Sequence, residues 1–505
     1  MIKIIDNFLN KITMYRLVLY YLVGLLFVAL VFSFFHALSF NPEVLVFSVF
    51  IILLSCYVGN ILFAKIFGAI PNIESVYITA FILALIITPV SVTDVAGVGF
   101  IIFASLWAMG SKYMFAIGKK HIFNPAAFGI AISALAIGQS ATWWVAGNLL
   151  LLPFVFVGGI LIVRKIRRFD LVLSFAVVSI ATIILTSTSK NVMTPVIQTL
   201  LHSSFFFLAL VMLTEPLTMP PNRFLRIIYG AIVGFLFAPN IHIGSYYLTP
   251  EIALLIGNIF VYFASPKGRF ILTLKERNKL GSDEYEFVFS PDKSFSFRPG
   301  QYLEWTLGHR FSDSRGNRRY FTIASSPTED DVRMGVKFYE PASTYKIELG
   351  AMKASDVISA SSLAGDFVLP RNKEKKLVFI AGGIGITPFR SMVQYMVDKK
   401  EPREAVLLYS NKKVDEIAYK NTFDRAGREI GLRTIYAVTD EKNKIAGMYN
   451  GKIDGQLIAK EIPDFQERIF YISGPHGMVE AFKKTLKNLG VPWWRIKADY
   501  FPGFA

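Results

Sequence analysis

Up to about residue 265 the chain is a succession of apolar runs, and from Lys267 onward charged residues recur every few positions. A run of about 20 apolar residues is long enough to cross the hydrocarbon core of a bilayer. About ten such runs occur, near 15–37, 44–66, 75–91, 96–115, 123–139, 144–164, 170–187, 192–214, 224–240 and 248–265. They predict a polytopic α-helical membrane domain of about ten spans over 1–265. The first run is too long for the core of a signal peptide and reads as a retained helix. Lys and Arg gather in alternate loops, at Lys3, Lys11 and Arg16, Lys65, Lys112, Lys119 and Lys120, Arg164, Lys165, Arg167 and Arg168, Arg223 and Arg226, and Lys267 and Arg269, with Lys190 the main exception. Positive charge marks the cytoplasmic side, so a multi-pass protein of the plasma membrane with both termini in the cytoplasm is expected.

The second half changes period. RFILTLKERNKL, EYEFVFSP and SFRPGQYLEWTL alternate apolar and polar residues in the manner of half-buried strands. They predict a small antiparallel β-barrel over 268–372. A short apolar strand, Leu377 to Ala381, then runs into glycines and a helix, and EAVLLYSN, LRTIYAV and RIFYISGPHGMVEAFKKTL continue the alternation of strand and helix. That pattern predicts an α/β Rossmann-like domain over 373–505, with a parallel sheet and a ligand at the carboxyl ends of its strands.

Composition narrows the chemistry. Hydrophobic residues make up 53% of the 505, which suits membrane spans. The formal net charge is +16, and many of the basic residues lie in the short loops between apolar runs, so no nucleic-acid partner is expected. The single cysteine, Cys56, excludes intramolecular disulfides and cysteine-ligated zinc or iron–sulfur centres within the chain. A redox centre would have to be flavin or haem. Four histidines fall in the apolar half, His36, His121, His202 and His242, without the 13- or 14-residue spacing of paired haem ligands within one helix. No metal site is expected, and a haem-containing ferric-reductase-like enzyme stays as an alternative.

Arg298-Pro299-Gly300-Gln301-Tyr302, followed about 20 residues later by RRYFTIASSP, resembles the FAD-binding barrel of the ferredoxin–NADP reductase family. The resemblance implies that Arg298, Gln301 and Tyr302 belong to the FAD site and that Arg319 forks onto its pyrophosphate, a bidentate task suited to guanidinium. It places Phe321 against the isoalloxazine ring, the Thr322 hydroxyl near flavin N5, and Ser343 and Thr344 at the pyrophosphate. In KKLVFIAGGIGITPFRSM, Gly382, Gly383 and Gly385 allow a dinucleotide close to the backbone, and Thr387 and Pro388 open a helix whose N-terminus favours an anion. Ser473, Gly474 and Pro475 match the family's Cys-Gly-Pro beside the nicotinamide, with serine in place of cysteine. Asp499 and Phe501 match an acidic residue and an aromatic at the flavin. Thr322, Ser473, Asp499 and Phe501 are therefore the implied catalytic residues. Ser410-Asn411-Lys412-Lys413, where the adenosine ribose is expected, leaves NADH and NADPH both open.

In the apolar half, KHIFNPAAFG, GQSATWW and LTEPLTMPPNRFLRIIYGAIVG place polar residues and prolines where lipid exposure would be costly. They resemble the membrane component common to the sodium-translocating NADH:quinone reductase and the Rnf electron-transport complex. That family carries FMN on a threonine. The resemblance implies covalent FMN at Thr142, with Ala136 standing where the family has an aspartate. Together the two resemblances imply a membrane-bound enzyme taking electrons from NAD(P)H through FAD into the membrane domain, then to a quinone, an outer-side acceptor or partner electron-transport subunits. A reductase carried on an ion- or solute-transporting or anchoring domain is the alternative.

Overall fold

The computed structural model describes the chain except for residues 1–4, 7, 10–11, 69–72, 118–119, 189–190, 245, 266–268, 310–312, 314–315, 441–444 and 502–505; the side chains at 73, 74, 117, 120, 243, 500 and 501 also lie outside the described residues. Lys3, Lys11, Lys119, Lys190 and Lys267 therefore have no structural account. Contacts divide the chain into two compact units, Met1–Lys267 and Gly268–Ala505.

The first unit is helical: α1 (Met14–Phe34), α2 (Pro42–Ile66), α3 (Ile73–Ile86), α4 (Val95–Met114), α5 (Pro125–Ile137), α6 (Leu152–Ile166), α7 (Phe169–Thr186), α8 (Met193–His202), α9 (Arg223–Phe237) and α10 (Pro250–Ala264). Polar caps set several starts: Thr13, Asp94, Asn124, Asn222 and Thr249 each accept a backbone N–H from the first turn. Among the described residues four helices, α1, α2, α4 and α7, are long and apolar enough to cross a membrane, or five spans if α8 is joined to 205–212 across its 64° bend. The sequence expectation was about ten. The other apolar stretches carry helices of 13 to 15 residues, shorter than a full crossing. The reasons are local. Trp143 takes a left-handed φ of 55°, and the chain turns through 144–151 before α6 begins. The stretch expected as one span at 192–214 breaks at Ser203–Ser204, where the Ser203 hydroxyl bonds back to Thr199 O (2.5 Å), and then rewinds as a π-turn over Leu208–Met212.

Helices α7 and α9 pack at close range because Gly230 and Gly234 lie four apart on α9. A Cβ there would stand 2.6 Å from Leu171 O and 2.5 Å from Phe175 O, the small-residue contact that lets membrane helices approach.

The second unit holds two sheets. Strands β1 (Phe270–Lys279), β2 (Glu284–Pro291), β3 (Tyr302–Thr306), β4 (Arg318–Thr322), β5 (Val332–Lys337) and β6 (Val357–Ala364) pair antiparallel in the order β4-β3-β6-β1-β2-β5, with α11 (Thr344–Ala351) between β5 and β6. The small antiparallel barrel expected over 268–372 is present as an antiparallel half-barrel. Its outer strands β4 and β5 share no ladder, and Ala324 N donating to Arg333 O (2.8 Å) joins them just past the end of β4.

The second sheet is parallel: β7 (Leu377–Gly382), β8 (Ala405–Asn411), β9 (Arg433–Val438), β10 (Tyr449–Asn450), β11 (Ile469–Pro475) and β12 (Ile496–Phe501), in the order β10-β9-β8-β7-β11-β12. Helices α12 (Thr387–Asp398), α13 (Lys420–Ile430), α14 (Gly455–Glu461) and α15 (His476–Asn488) connect them. Strand β7 is buried throughout. Leu377, Phe379 and Ala381 enter the core with α12 and α13, while Val378 and Ile380 enter the core with α14 and α15. A strand covered on both faces must be continuously apolar. The order of connection reverses between β7 and β11, so the topological switch point lies at their carboxyl ends.

Candidate active site

Pairing between strands brings the predicted residues of the parallel sheet into one row. Ala381 of β7 stands opposite Ser473 of β11, which stands opposite Asp499 of β12. The glycine turn follows at once. A Cβ on Gly385 would lie 2.6 Å from Gly474 Cα and 2.6 Å from Ser473 O, and one on Gly382 would lie 2.2 Å from Met478 Sδ. The turn is thus pressed against the Ser473-Gly474-Pro475 segment as closely as backbone allows. Thr387 is buried, its hydroxyl on Ile384 O (3.2 Å), and Pro388 occupies the first turn of α12.

Helix α12 also fixes the half-barrel. Arg390 is buried, pairs with Glu329 and donates to Ala324 O (3.2 Å), while Ser391 Oγ donates to Ser325 O (2.6 Å). Residues 324 and 325 lie two and three positions beyond Thr322, so the helix that opens at the glycine turn also sets the chain just past the end of β4. Sequence reasoning missed Arg390, although it lies two residues beyond Pro388.

On β4, Arg319 and Phe321 alternate with the exposed Tyr320. The Arg319 guanidinium lies over the Tyr345 ring (5.1 Å to the centroid), with Nη1 donating to Gly316 O and Arg318 O (3.1 and 2.7 Å). Phe321 packs at 6.1 Å from the same ring. Burial holds the Tyr345 phenol well above its ordinary pKa, with Arg319 opposing, so it stays neutral. Tyr345 was also missed; it directly follows Thr344. Tyr302 pairs across the sheet with Thr322 and meets Tyr320 edge-on at 5.6 Å.

Several predicted binding residues have local partners. Arg298 Nη2 donates to Leu369 O (3.1 Å), and its N–H is accepted by Gln301 Oε1 (2.8 Å). Ser343 caps α11, and Thr344 Oγ1 accepts from Asp313 N and meets His309 Nε2, both at 3.0 Å. Phe501 closes the ladder of β12 opposite Pro475, and its side chain lies outside the described residues.

Two hydroxyls are different. Thr322 Oγ1 and Ser473 Oγ are buried and have no hydrogen-bond partner among the described residues. Such a group costs about 1–3 kcal/mol unless something completes it, and each stands where the sequence predicts a reacting ring. The residues therefore fit a flavin at β4 and a nicotinamide at the β7–β11 switch point.

Beside the glycine turn a buried ion pair joins β2 to β5. Lys337 Nζ lies 3.2 Å from Glu284 Oε1 and 3.7 Å from Glu416 Oε1. Burial pushes the Glu284 carboxyl up, with Lys337 drawing it partly back. Burial works against the Lys337 ammonium, but the two carboxylates more than offset it and raise its pKa.

The helical unit has its own polar cluster, from segments far apart in the chain. Glu215 meets His121 Nε2 (3.1 Å) and accepts from Asn124 Nδ2 (2.8 Å) and Thr218 Oγ1 (3.2 Å). Asn258 Oδ1 accepts from Asn124 N (2.8 Å), and its Nδ2 donates to Tyr229 OH (3.1 Å). Asn258 lies in an apolar run and was not singled out from sequence. Thr142 is exposed, its hydroxyl 2.6 Å from Thr88 Oγ1, and Trp143 Nε1 donates to the buried Glu251 (2.8 Å).

A half-barrel packed on a parallel, doubly wound sheet, in one chain with an apolar helical unit, defines a flavin-reductase class of protein with a membrane domain. Family models agree with both halves. Residues 379–484 match the oxidoreductase NAD-binding domain, and residues 145–265 match the NQR2, RnfD, RnfE family. A flavohemoprotein of Bacillus subtilis (strain 168) is 28% identical over 229 residues, covering 44% of this chain and 56% of that protein. The nitrate reductase [NADPH] of Emericella nidulans is 29% identical over 266 residues, covering 47% of this chain and 30% of that one. The chain thus spans a little over half the length of that flavohemoprotein. Among solved structures, the flavohem-like FAD/NAD binding domain of nitric oxide dioxygenase from Vibrio cholerae O1 biovar El Tor is 20% identical, with a TM-score of 0.42, covering 47% of this chain and 99% of that one.

Proposed function

We propose that the chain is a membrane-integral, FAD-dependent NAD(P)H oxidoreductase that passes electrons from its reductase unit into its helical unit. The observation that carries this reading is the pair of buried hydroxyls, Thr322 and Ser473, each lacking a partner among the described residues. FAD, when bound, supplies the capacity to accept two electrons together and release them singly. The chain's own residues do the positioning. Arg319 offers its fork to the pyrophosphate, Phe321 walls the ring, and Thr322 offers its hydroxyl to the ring edge. Gly383 and Gly385 admit the dinucleotide phosphates to the N-terminus of α12. Ser473 and Asp499 border the nicotinamide from neighbouring strands, with Phe501 beyond them. Arg298, Gln301, Tyr302, Ser343, Thr344, Gly382, Thr387, Pro388, Gly474 and Pro475 complete the two cradles, several of them by fixing the loops between. The functional divisions are 1–265, 268–372 and 373–505.

In the helical unit we assign FMN to Thr142, an exposed residue whose hydroxyl meets Thr88 Oγ1, and a quinone or outer-side acceptor, or partner electron-transport subunits, as the destination. Ten crossings of the plasma membrane, with both termini in the cytoplasm, accord with the distribution of Lys and Arg.

The test is full-length protein in detergent, with released flavin separated from flavin retained on the denatured band, and with flavin bleaching by NAD(P)H followed by stopped flow. Released FAD that NAD(P)H bleaches, with band fluorescence lost in Thr142→Ala, is the expected result. FAD without band fluorescence would remove the FMN assignment and favour an anchoring or transporting helical unit, and failure of NAD(P)H to bleach any flavin would overturn the reductase reading.

A further inference from the structure

The proposed function leaves the nicotinamide dinucleotide undivided between its two forms; resting on that reading, the geometry points to NADPH, selected through its 2′-phosphate by Lys412 and Lys413. In a doubly wound sheet the dinucleotide's pyrophosphate lies at the first strand-to-helix turn, and its adenosine ribose lies at the end of the next strand. An acidic residue there holds the ribose diol of the unphosphorylated form, and a cation there suits the 2′-phosphate. Here the first turn is Gly383–Ile386 and the next strand is β8. The two are directly joined: Gly382 pairs with Ser410, and Tyr409 OH donates to Gly383 O (3.3 Å).

Strand β8 ends at Asn411, where a diol-binding site would call for a carboxylate. Lys412 and Lys413 follow, both exposed, and neither ammonium has an ion-pair partner among the described residues. Of the acids nearby, Asp415 is exposed, while Glu416 and Asp440 are engaged. Glu416 accepts the Lys412 backbone N–H (3.3 Å) and pairs with Lys337, and Asp440 accepts from Thr439 Oγ1 (3.1 Å) with its own N–H on Lys412 O (2.9 Å). The end of β9 adds Thr439, a second uncharged residue, with its N–H on Asn411 O (3.1 Å). Asn411 itself is an independent pointer to a ligand. The residue is 5% exposed and its side chain lies beside the Tyr409 phenol, yet neither of its polar atoms makes a well-formed hydrogen bond among the described residues. An amide that can donate and accept, buried at the strand end beside two uncommitted ammonium groups, matches a ribose carrying a phosphate better than a bare diol.

The experiment uses the full-length flavin-loaded protein and two readouts. The first is kcat/KM for flavin reduction by NADPH and by NADH, in the wild type and in Lys412→Glu/Lys413→Glu. The second is binding of adenosine 2′,5′-bisphosphate against AMP, which needs no turnover. We expect NADPH to be preferred at least about tenfold, the typical worth of one charge-assisted hydrogen bond. The double variant should lower that ratio about tenfold or more, and the bisphosphate should bind more tightly than AMP, with the difference shrinking as salt rises. Equal or better use of NADH, or a ratio unmoved by the double variant, overturns the inference. If neither dinucleotide reduces the flavin, the underlying reductase reading fails, and the binding comparison still decides this one: tighter bisphosphate binding upholds it and equal binding refutes it.

Discussion

Replacing Gly385 by alanine tests whether the glycine turn owes its sequence to space rather than to backbone conformation. The new Cβ would lie 2.6 Å from Gly474 Cα, 2.6 Å from Ser473 O and 2.7 Å from Gly474 N, all of them backbone atoms of β11. No rotamer change relieves such contacts. Reaching an ordinary carbon–carbon separation of about 3.5 Å requires the turn and β11 to part by roughly 1 Å. Because β7 and β11 are hydrogen-bonded neighbours, the strain stays at the switch point, where overpacking typically costs about 1–3 kcal/mol. A displacement of roughly 1 Å at a reacting centre can cost about a hundredfold in rate. Gly383 provides the contrast. Its φ is 51°, but a Cβ there would meet only Glu284 Oε1 at 3.7 Å, so Gly383→Ala carries a conformational cost of about 1–2 kcal/mol and little displacement. Stopped-flow flavin reduction at saturating NAD(P)H, with flavin content measured in parallel, should show Gly385→Ala slowed about a hundredfold and Gly383→Ala slowed only severalfold. A Gly385→Ala enzyme of normal rate, or a Gly383→Ala enzyme that is the slower of the two, would refute the close-approach argument.

Thr322→Val should slow flavin reduction roughly tenfold without lowering the melting temperature of the ligand-free protein, because it removes a buried hydroxyl that has no partner among the described residues; a clear loss of stability would show that the hydroxyl serves the fold. Asp464, hydrogen-bonded by Arg468 and Lys376, has its carboxyl held down at about 2. Its folded pKa lies below the unfolded one, so its contribution is complete above about pH 4 and is lost as pH falls toward 2. Asp464→Asn should flatten that acid limb of thermal stability by no more than about 1 kcal/mol, since the pair is partly solvated. Asn258→Leu leaves the Asn124 N–H and the Tyr229 hydroxyl without their present partner, so the helical unit should lose about 1–3 kcal/mol, read as a lower midpoint in detergent unfolding.

The reductase unit was legible because its signals are local. Leu377 to Gly382 is a continuous apolar strand running into glycines, and both the strand and the following helix α12 are present. The half-barrel strands were visible in their alternation, whereas the gap between β4 and β5 depends on curvature, which period-two patterning does not encode. In the helical unit, apolar length does not give the lengths of the individual helices, because hydropathy does not register the left-handed Trp143 or the break at Ser203–Ser204. Asn258 was invisible for a related reason. One amide in an apolar run reads as noise until the fold sets it against Asn124, 134 residues away. Arg390 and Tyr345 had a usable signal, lying one or two residues beyond motifs already recognised.

The polar cluster of the helical unit also constrains how the chain is made. Its members come from residues 121–124, 215–218, 229 and 258, so during synthesis from the N-terminus Asn124 and Glu215 are laid down before the helix that supplies Asn258. Until α10 arrives, the Asn124 backbone N–H and the Tyr229 hydroxyl lack the partner they have in the finished protein, and such groups are costly against lipid. The polar seam is therefore completed only by the last helix of the unit: a chain ending before residue 258 would lack the amide that meets both Asn124 and Tyr229.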